Sequence, residues 1–103
     1  MTEVILLEIT YKNKKLQKVC TDPKVSDKKY GSEMSEKIKL RIFHIKSSPS
    51  VEFMIQYGFG RCHSLTGDRK GQYAMDLVQP YRLVFKKLGR EIQVQIIEIV
   101  DYH

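Results

Sequence analysis

Apolar positions in the first half of the chain recur mainly with helical spacing. A short apolar run with β-branched residues at 4–9 predicts a first strand. The lysine-rich segment 13–21 predicts a helix, because its apolar residues are three or four positions apart. A second helical pattern covers 25–46, where Gly31 marks a kink or a late start. Its apolar stripe consists of Tyr30, Met34, Ile38, Ile42 and Ile45.

The second half of the chain has the pattern of short strands separated by turns. Segment 51–60 contains Gly58 and Gly60 and is interpreted as a surface loop. The predicted strands that follow are 61–65, 72–77, 81–86 and 92–102. Short gaps between consecutive strands indicate antiparallel hairpins. The predicted order is β-α-α-β-β-β-β, a single α+β domain over 1–103 with two N-terminal helices packed on one face of a small, mostly antiparallel sheet.

Positive charge is concentrated in one segment. The net charge is +6, and residues 12–46 hold eleven Lys or Arg against four Asp or Glu. Clustered cations favour a polyanion through counterion release. A solvated lysine surface explains the composition equally well, and an acidic protein partner would use the same surface.

Composition argues against a membrane or secreted protein. No apolar run has the length of a membrane span, and the run at 4–7 follows Glu3 without a basic region, so no signal peptide is expected. Cys20 and Cys62 are too far apart for a metal or redox motif. We therefore expect two free thiols and a cytoplasmic protein.

Candidate chemistry lies on the strands of the second half. The chain ends in Asp101-Tyr102-His103, and His63 lies on an earlier strand of the same predicted sheet. Each signal is weak alone, because a polar terminus is usually frayed and a lone histidine is usually structural. A donor-rich turn at 67–71 and Arg82 on the next hairpin add cations to the same sheet.

Other site types fit the sequence poorly. No nucleotide-binding loop pattern occurs, and the three histidines have no metal-ligand spacing, so neither a cofactor nor a metal is expected. Cys62 and His63 are adjacent on a predicted strand and would point to opposite faces. Tyr57 and Phe59 could stack on bases, although packing of a loop against the core is the preferred interpretation.

The stretch from Arg61 to Gln72 resembles the HigB "killer protein" branch of the RelE/ParE toxins. The resemblance continues through Asp76-Leu77, the segment 80–85 and the closing 98–103. Upstream, Lys29-Tyr30-Gly31 and the following helix fit the same family. Nearly the whole chain is covered, and the second half is specific, because its elements occur in the family's order and spacing.

The resemblance implies a toxin of a type II toxin–antitoxin system that cleaves mRNA on the ribosome without a metal. It implies a HigA-like helix-turn-helix antitoxin as partner, besides ribosome and mRNA. Carried over by position, the catalytic group is His63, Asp101, Tyr102 and His103. Arg82 is carried over as a phosphate contact; Arg69 and Lys70 are further candidates for the phosphate. Ribosomal RNA would be held by the lysines Lys12, Lys14, Lys15 and Lys18.

The chain departs from the family at one position. Some HigB toxins carry a lysine where this sequence has Thr66, and Arg69 or Lys70 would have to replace that cation. Two other functions stay open. One is a ParE-like toxin that binds DNA gyrase, and the other is an inactive homologue that only binds its antitoxin.

We predict that the terminal residue is needed for activity and not for stability. If His103 transfers a proton, deleting it should lower the mRNA cleavage rate by about 10²–10⁴-fold. The melting temperature should stay unchanged, because a terminal polar side chain buries little surface. Growth arrest and thermal melting of the deletion variant measure the two effects. Full toxicity would assign the reaction to His63 and the arginines instead.

Overall fold

The computed structural model describes residues 4–89 and 92–101 of the 103-residue chain. The elements in chain order are β1 (Glu8–Tyr11), α1 (Lys14–Thr21), α2 (Pro23–Tyr30), α3 (Ser32–Lys46), α4 (Val51–Tyr57), β2 (His63–Ser64), β3 (Gln72–Asp76), β4 (Tyr81–Lys87) and β5 (Gln93–Asp101). Two short 3₁₀ turns, Phe59–Arg61 and Gly67–Arg69, flank β2. The α+β prediction is confirmed.

Side chains at the helix ends explain where the helices begin. The Asn13 carboxamide oxygen accepts a hydrogen bond from the Leu16 amide at 2.8 Å and caps α1. Asp22 caps α2 in the same way, with Pro23 at the first helical position. Gly31, at φ 90°, separates α2 from α3, so the single helical segment predicted over 25–46 is two helices.

The sheet has the strand order β1-β5-β4-β3-β2. β5 pairs in parallel with β1 and antiparallel with β4, and the remaining pairs are antiparallel. The long strand β5 therefore joins the N-terminal strand to the hairpins of the second half. β2 forms the other edge and contains only two residues.

The helices cover one face of this sheet. Alternate residues of β3 and β4, such as Met75, Leu83 and Phe85, lie in one core cluster with the buried residues of the helices. Ile38, Ile45 and other members of the predicted α3 stripe contribute to that core, so the stripe was interpreted correctly. The other face of the sheet carries polar side chains around Ala74, Val84 and Val100.

Three details of the prediction are wrong. The first strand begins at Glu8 rather than at residue 4. The predicted strand 61–65 is reduced to β2, because Phe59–Arg61 forms a 3₁₀ turn. The segment 51–60 is not a loop, since it contains α4. Together with the division of the predicted 25–46 helix at Gly31, this gives four α-helices in the described residues instead of two.

The helix α4 is short but defined at both ends. The Ser50 hydroxyl accepts a hydrogen bond from the Phe53 amide at 3.0 Å, and Gly58, at φ 70°, ends the helix. Val51 and Met54 are buried at a spacing of three residues and attach α4 to the core. In residues 4–89 and 92–101, no helix is both long and apolar enough to cross a membrane.

We predict that Met54 anchors α4. Met54→Ala should lower the free energy of unfolding by about 2–5 kcal/mol, because it opens a cavity at a fully buried position. Its neighbour Ile55 is 39% exposed, and Ile55→Ala should cost below about 1 kcal/mol. Chemical denaturation of the two variants measures the difference. Equal losses would contradict the placement of α4.

Candidate functional site

The polar face of the sheet, opposite the helices, carries the candidate site. Strand pairing places His63 beside Ala74, and Asp76 beside Arg82. Directly opposite residues point to the same face, and so do residues two apart on one strand. His63, Asp76 and Arg82 are therefore on one face, in two adjacent rows. We call this surface the open face.

Asp76 is the centre of an arginine cluster. Its carboxylate accepts two hydrogen bonds from the Arg61 guanidinium, one of them, from Nη2, at 3.3 Å. The Nε of Arg82 is 3.6 Å from Oδ1 of the same carboxylate. The Nε of Arg41 donates to the Asp76 main-chain oxygen at 2.6 Å. Two guanidinium groups contact the carboxylate and a third binds the main chain of the same residue, which leaves the cluster positively charged.

Arg41 reaches this cluster from beneath, on α3. It is buried, and burial lowers its pKa while the nearby Asp76 opposes that shift. A buried guanidinium is tolerated only when its donors are satisfied, and Arg41 also lies 3.4 Å from His44 Nδ1. Gly60 lies against it, since a Cβ there would be 2.5 Å from the Arg41 Nε.

Arg61 has an unusual backbone conformation for a residue with a side chain. Its φ is 52°, in the left-handed region, and it follows Gly58 and Gly60, which also have positive φ. This turn brings the Arg61 side chain, 66% exposed, onto Asp76, and the hydrogen bond raises the Arg61 pKa. Left-handed non-glycine residues cluster at functional sites, where neighbouring contacts hold them.

His63 is half-buried on the edge strand, and its tautomer is set by a neighbour. Its Nδ1 lies 2.7 Å from the Arg61 main-chain oxygen. A carbonyl oxygen can only accept, so Nδ1 carries the hydrogen and the neutral ring has its lone pair on Nε2. The arrangement suits a general base that acts through Nε2.

Arg69 crosses the open face from the 3₁₀ turn. Its Nη1 donates to the Gln72 side-chain oxygen at 2.9 Å, and its Nη2 forms an ion pair with Glu98 on β5. The strand between these partners is β4, so Arg69 lies over Val84, which is fully buried. Lys70, the next residue, is exposed. Arg69 thus shares the predicted surface, although Glu98 already engages it.

The predicted catalytic residues at the C-terminus are only partly described. Asp101 is exposed and pairs with Tyr81 at the end of β5, on the side of the sheet that the helices cover. His63 is on the opposite face and three strands away, so the structure does not bring these two side chains together. Tyr102 and His103 lie outside the described residues.

Three of the four predicted lysines are on the helical side of the molecule. Lys12 follows β1, and Lys14, Lys15 and Lys18 are on α1; all four are exposed. α1 contributes Val19 and Cys20 to the core, which places it on the face opposite His63. The lysines and the open face are therefore separate positive surfaces.

The cysteines offer no reactive thiolate. Cys20 and Cys62 are free and buried, as expected, and burial raises the pKa of each thiol to about 12. No group of three or more His, Cys, Asp or Glu that could hold a metal ion occurs in the part of the chain that the structure describes.

Comparison with protein-family models and with curated proteins finds no match. Solved structures do match. A YoeB/ParE toxin from Agrobacterium tumefaciens has a TM-score of 0.66 at 18% identity, covering 94% of this chain and 100% of that one. YoeB in a YoeB–YefM complex from Staphylococcus aureus has a TM-score of 0.61 at 22% identity, covering 94% and 97%. A YoeB dimer from the same organism has a TM-score of 0.60 with the same identity and coverage.

The chain has the RelE/YoeB-like toxin fold. The HigB branch that the sequence resembles is a finer assignment within this fold.

Sequence reasoning missed three residues that organise the open face of this toxin fold. Asp76 and Arg61 lie in the segments that resemble the family, but no role was predicted for them. Arg41 was counted only among the cations of residues 12–46. A signal existed for Asp76, because a hairpin that turns at 78–80 pairs residue 77 with residue 81 and residue 76 with residue 82. A signal existed for Arg41 as well, since it lies between Ile38 and Ile42 on the buried side of α3.

We predict that Gly60 is needed to seat Arg41. Gly60→Ala adds backbone strain and a clash with the buried guanidinium. Gly67 has a similar φ of 65° with no atom within 4 Å of the added Cβ, so Gly67→Ala adds strain alone. The first variant should be less stable than the second by about 1 kcal/mol or more, as measured by denaturant unfolding. Equal stability would show that Arg41 moves aside without cost.

Proposed function

We propose that this protein is the toxin of a type II toxin–antitoxin pair and acts as a metal-independent endoribonuclease on ribosome-bound mRNA. The observation that carries the proposal is the open face, where a histidine whose Nδ1 is held by the Arg61 main-chain oxygen lies beside an arginine cluster. The toxin fold and the HigB-like motifs support the same function. The HigB branch itself is part of the proposal.

The proposed reaction uses the ribose as nucleophile. Nε2 of His63 takes the proton of the 2′-OH, and the 2′-oxygen attacks the adjacent phosphorus. The bond from phosphorus to the 5′-oxygen breaks, which leaves a cyclic phosphate and, once protonated, a 5′-hydroxyl. Arg82 and Arg61 stabilise the charge that develops on the phosphate oxygens. The proton for the leaving oxygen is assigned to His103, with Tyr102 as a hydrogen-bond donor to the RNA strand. Asp101 takes no part in this step, because it lies on the opposite face from His63 and three strands away.

Positioning of the mRNA is assigned to the ribosome. The lysines of the helical side attract ribosomal RNA by charge, while the open face contacts the message. A ribosome that holds the mRNA would supply the proximity that a small, shallow site lacks. The toxin would be cytoplasmic, with a HigA-like helix-turn-helix antitoxin as its partner. The solved YoeB–YefM complex is a precedent for an antitoxin partner on this fold.

We predict that substitution of His63 or Arg82 strongly lowers the rate of mRNA cleavage, while substitution of a nearby lysine does not. In a translation extract, His63→Gln should lower the cleavage rate by about 10²–10⁴-fold. Arg82→Gln should lower it by about 10²–10³-fold, because a donor to the developing charge is lost. Lys86 is exposed on the same strand and the same face as Arg82, so Lys86→Gln is the matched control and should change the rate little.

The same extract separates the alternatives. No cleavage by the wild-type protein, together with inhibition of gyrase supercoiling, would indicate a ParE-like toxin. Neither activity would indicate a homologue that only binds its antitoxin. Purified protein with naked mRNA is the second arm, and efficient cutting without ribosomes would exclude ribosome dependence.

A further inference from the structure

Three aromatic rings form a stack at the edge of the molecule next to the arginine cluster. The Phe59 ring lies 4.8 Å from the His44 ring at an interplanar angle of 6°. The Tyr57 ring lies 6.3 Å from the Phe59 ring at 23°, and 4.5 Å from the Phe53 ring at 43°. We call these three residues the ring stack. Its end member, Tyr57, is 60% exposed, so one ring of the stack faces solvent.

The ring stack is joined to the open face by a compact turn. The Cys62 amide donates to the Phe59 main-chain oxygen at 2.9 Å, which closes the 3₁₀ turn between them. Arg61 lies within this turn, and its main-chain oxygen holds His63. Phe59 and His63 are therefore only about 10 Å apart along the backbone, the length of one or two nucleotides.

Charge around the ring stack favours an anionic ligand. Burial, Arg41 and Lys37 all lower the pKa of His44, which favours the neutral ring, and that ring packs as an aromatic surface. The adjacent cations are Arg41, Lys37 and the exposed Arg61. Exposed aromatic rings beside cations are the combination by which proteins bind single-stranded nucleic acid.

We propose that the ring stack is a nucleobase-binding subsite, in which Tyr57 stacks on a base of the RNA strand whose phosphate lies at Arg61. The subsite deepens the proposed ribonuclease function and rests on it for the identity of the strand. It gives the α4 segment a role, since α4 and the turn after it carry two of the three rings.

A protein partner fits the geometry less well. An apolar surface that docks a protein partner needs exposed apolar area, and the relative orientation of the rings does not matter for that. In the ring stack, His44 and Phe59 are nearly parallel and Tyr57 is inclined by only 23° to Phe59, an arrangement that a planar base can extend. Phe43, 63% exposed and also beside His44, is tilted by 53° and lies outside the stack. It serves as a matched control for exposed aromatic surface.

The chain contains no tryptophan, so Tyr57→Trp places a single tryptophan, which can be excited apart from the remaining tyrosines, at the end of the ring stack. The probe is a short 2′-O-methyl oligoadenylate, which lacks the nucleophile and is not cut. We expect this oligonucleotide to quench the fluorescence of Tyr57→Trp and to leave that of Phe43→Trp unchanged. An abasic strand with the same phosphates should quench neither. Equal response to the abasic strand, or no quenching of Tyr57→Trp, would overturn the proposal.

The second test compares an aromatic with an aliphatic side chain at the same position. Tyr57→Phe should bind the fluorescently labelled oligoadenylate as the wild type does, and Tyr57→Leu should bind it roughly 5- to 100-fold more weakly. Phe43→Leu should bind normally. Unchanged oligonucleotide binding by Tyr57→Leu, with antitoxin neutralisation lost in both leucine variants, would make this surface a protein interface instead.

The outcome is distinguishable from that of the ribonuclease proposal, because neither test requires cleavage. Quenching without mRNA cleavage by the wild type would support a binding site for single-stranded nucleic acid and contradict the proposed ribonuclease activity. Cleavage without quenching would support the ribonuclease activity and contradict the subsite.

Discussion

The hydrogen bonds and ion pairs of Asp76 hold together the surface on which the proposed function depends. Its carboxylate binds Arg61 from the turn before β2 and lies beside Arg82 on β4, and its main-chain oxygen binds Arg41 from α3. One residue on β3 thus connects the helical layer, the edge turn and the adjacent strand. The Asp76 side chain is only 13% exposed, so its charge is screened little by solvent. Without that carboxylate, three guanidinium groups would repel one another, and the buried one could not move into water.

The same cluster explains why the turn before His63 has its unusual backbone. Gly60 leaves room for the Arg41 guanidinium, and a positive φ at Arg61 directs that side chain to Asp76. The main-chain oxygen of Arg61 then receives the His63 Nδ1 hydrogen. The orientation of His63 therefore depends on the turn at 59–61. Arg41, buried in the helical layer, holds that turn in place. Positioning through several linked contacts favours a rigid site, which general base catalysis requires.

Local patterns in the sequence were enough for the fold class and for most of the sheet, because hairpins and helical stripes depend on neighbours in the chain. The parallel pairing of β1 with β5 could not be predicted, since it joins residues more than 80 positions apart. The helix α4 was missed because seven residues are too few to show a period, although Ser50 and Gly58 are typical helix ends. In the candidate site, His63 and Arg82 were found from the family resemblance. Their connection through Asp76 needed the register of the β3–β4 hairpin.

Positive charge in this chain has two physical forms, and they suit different steps of the proposed function. The lysines of α1 are exposed and form no ion pair with the residues that the structure describes, so their field is long-ranged and depends on salt. The arginines of the open face are planar, and Asp76 or Glu98 fixes their direction. The electrostatic field of the lysines attracts a polyanion in any orientation. The fixed guanidinium groups can instead stabilise charge at one phosphate. Since the two sets are on opposite sides of the sheet, an RNA assembly could contact the lysines while a single strand occupies the open face.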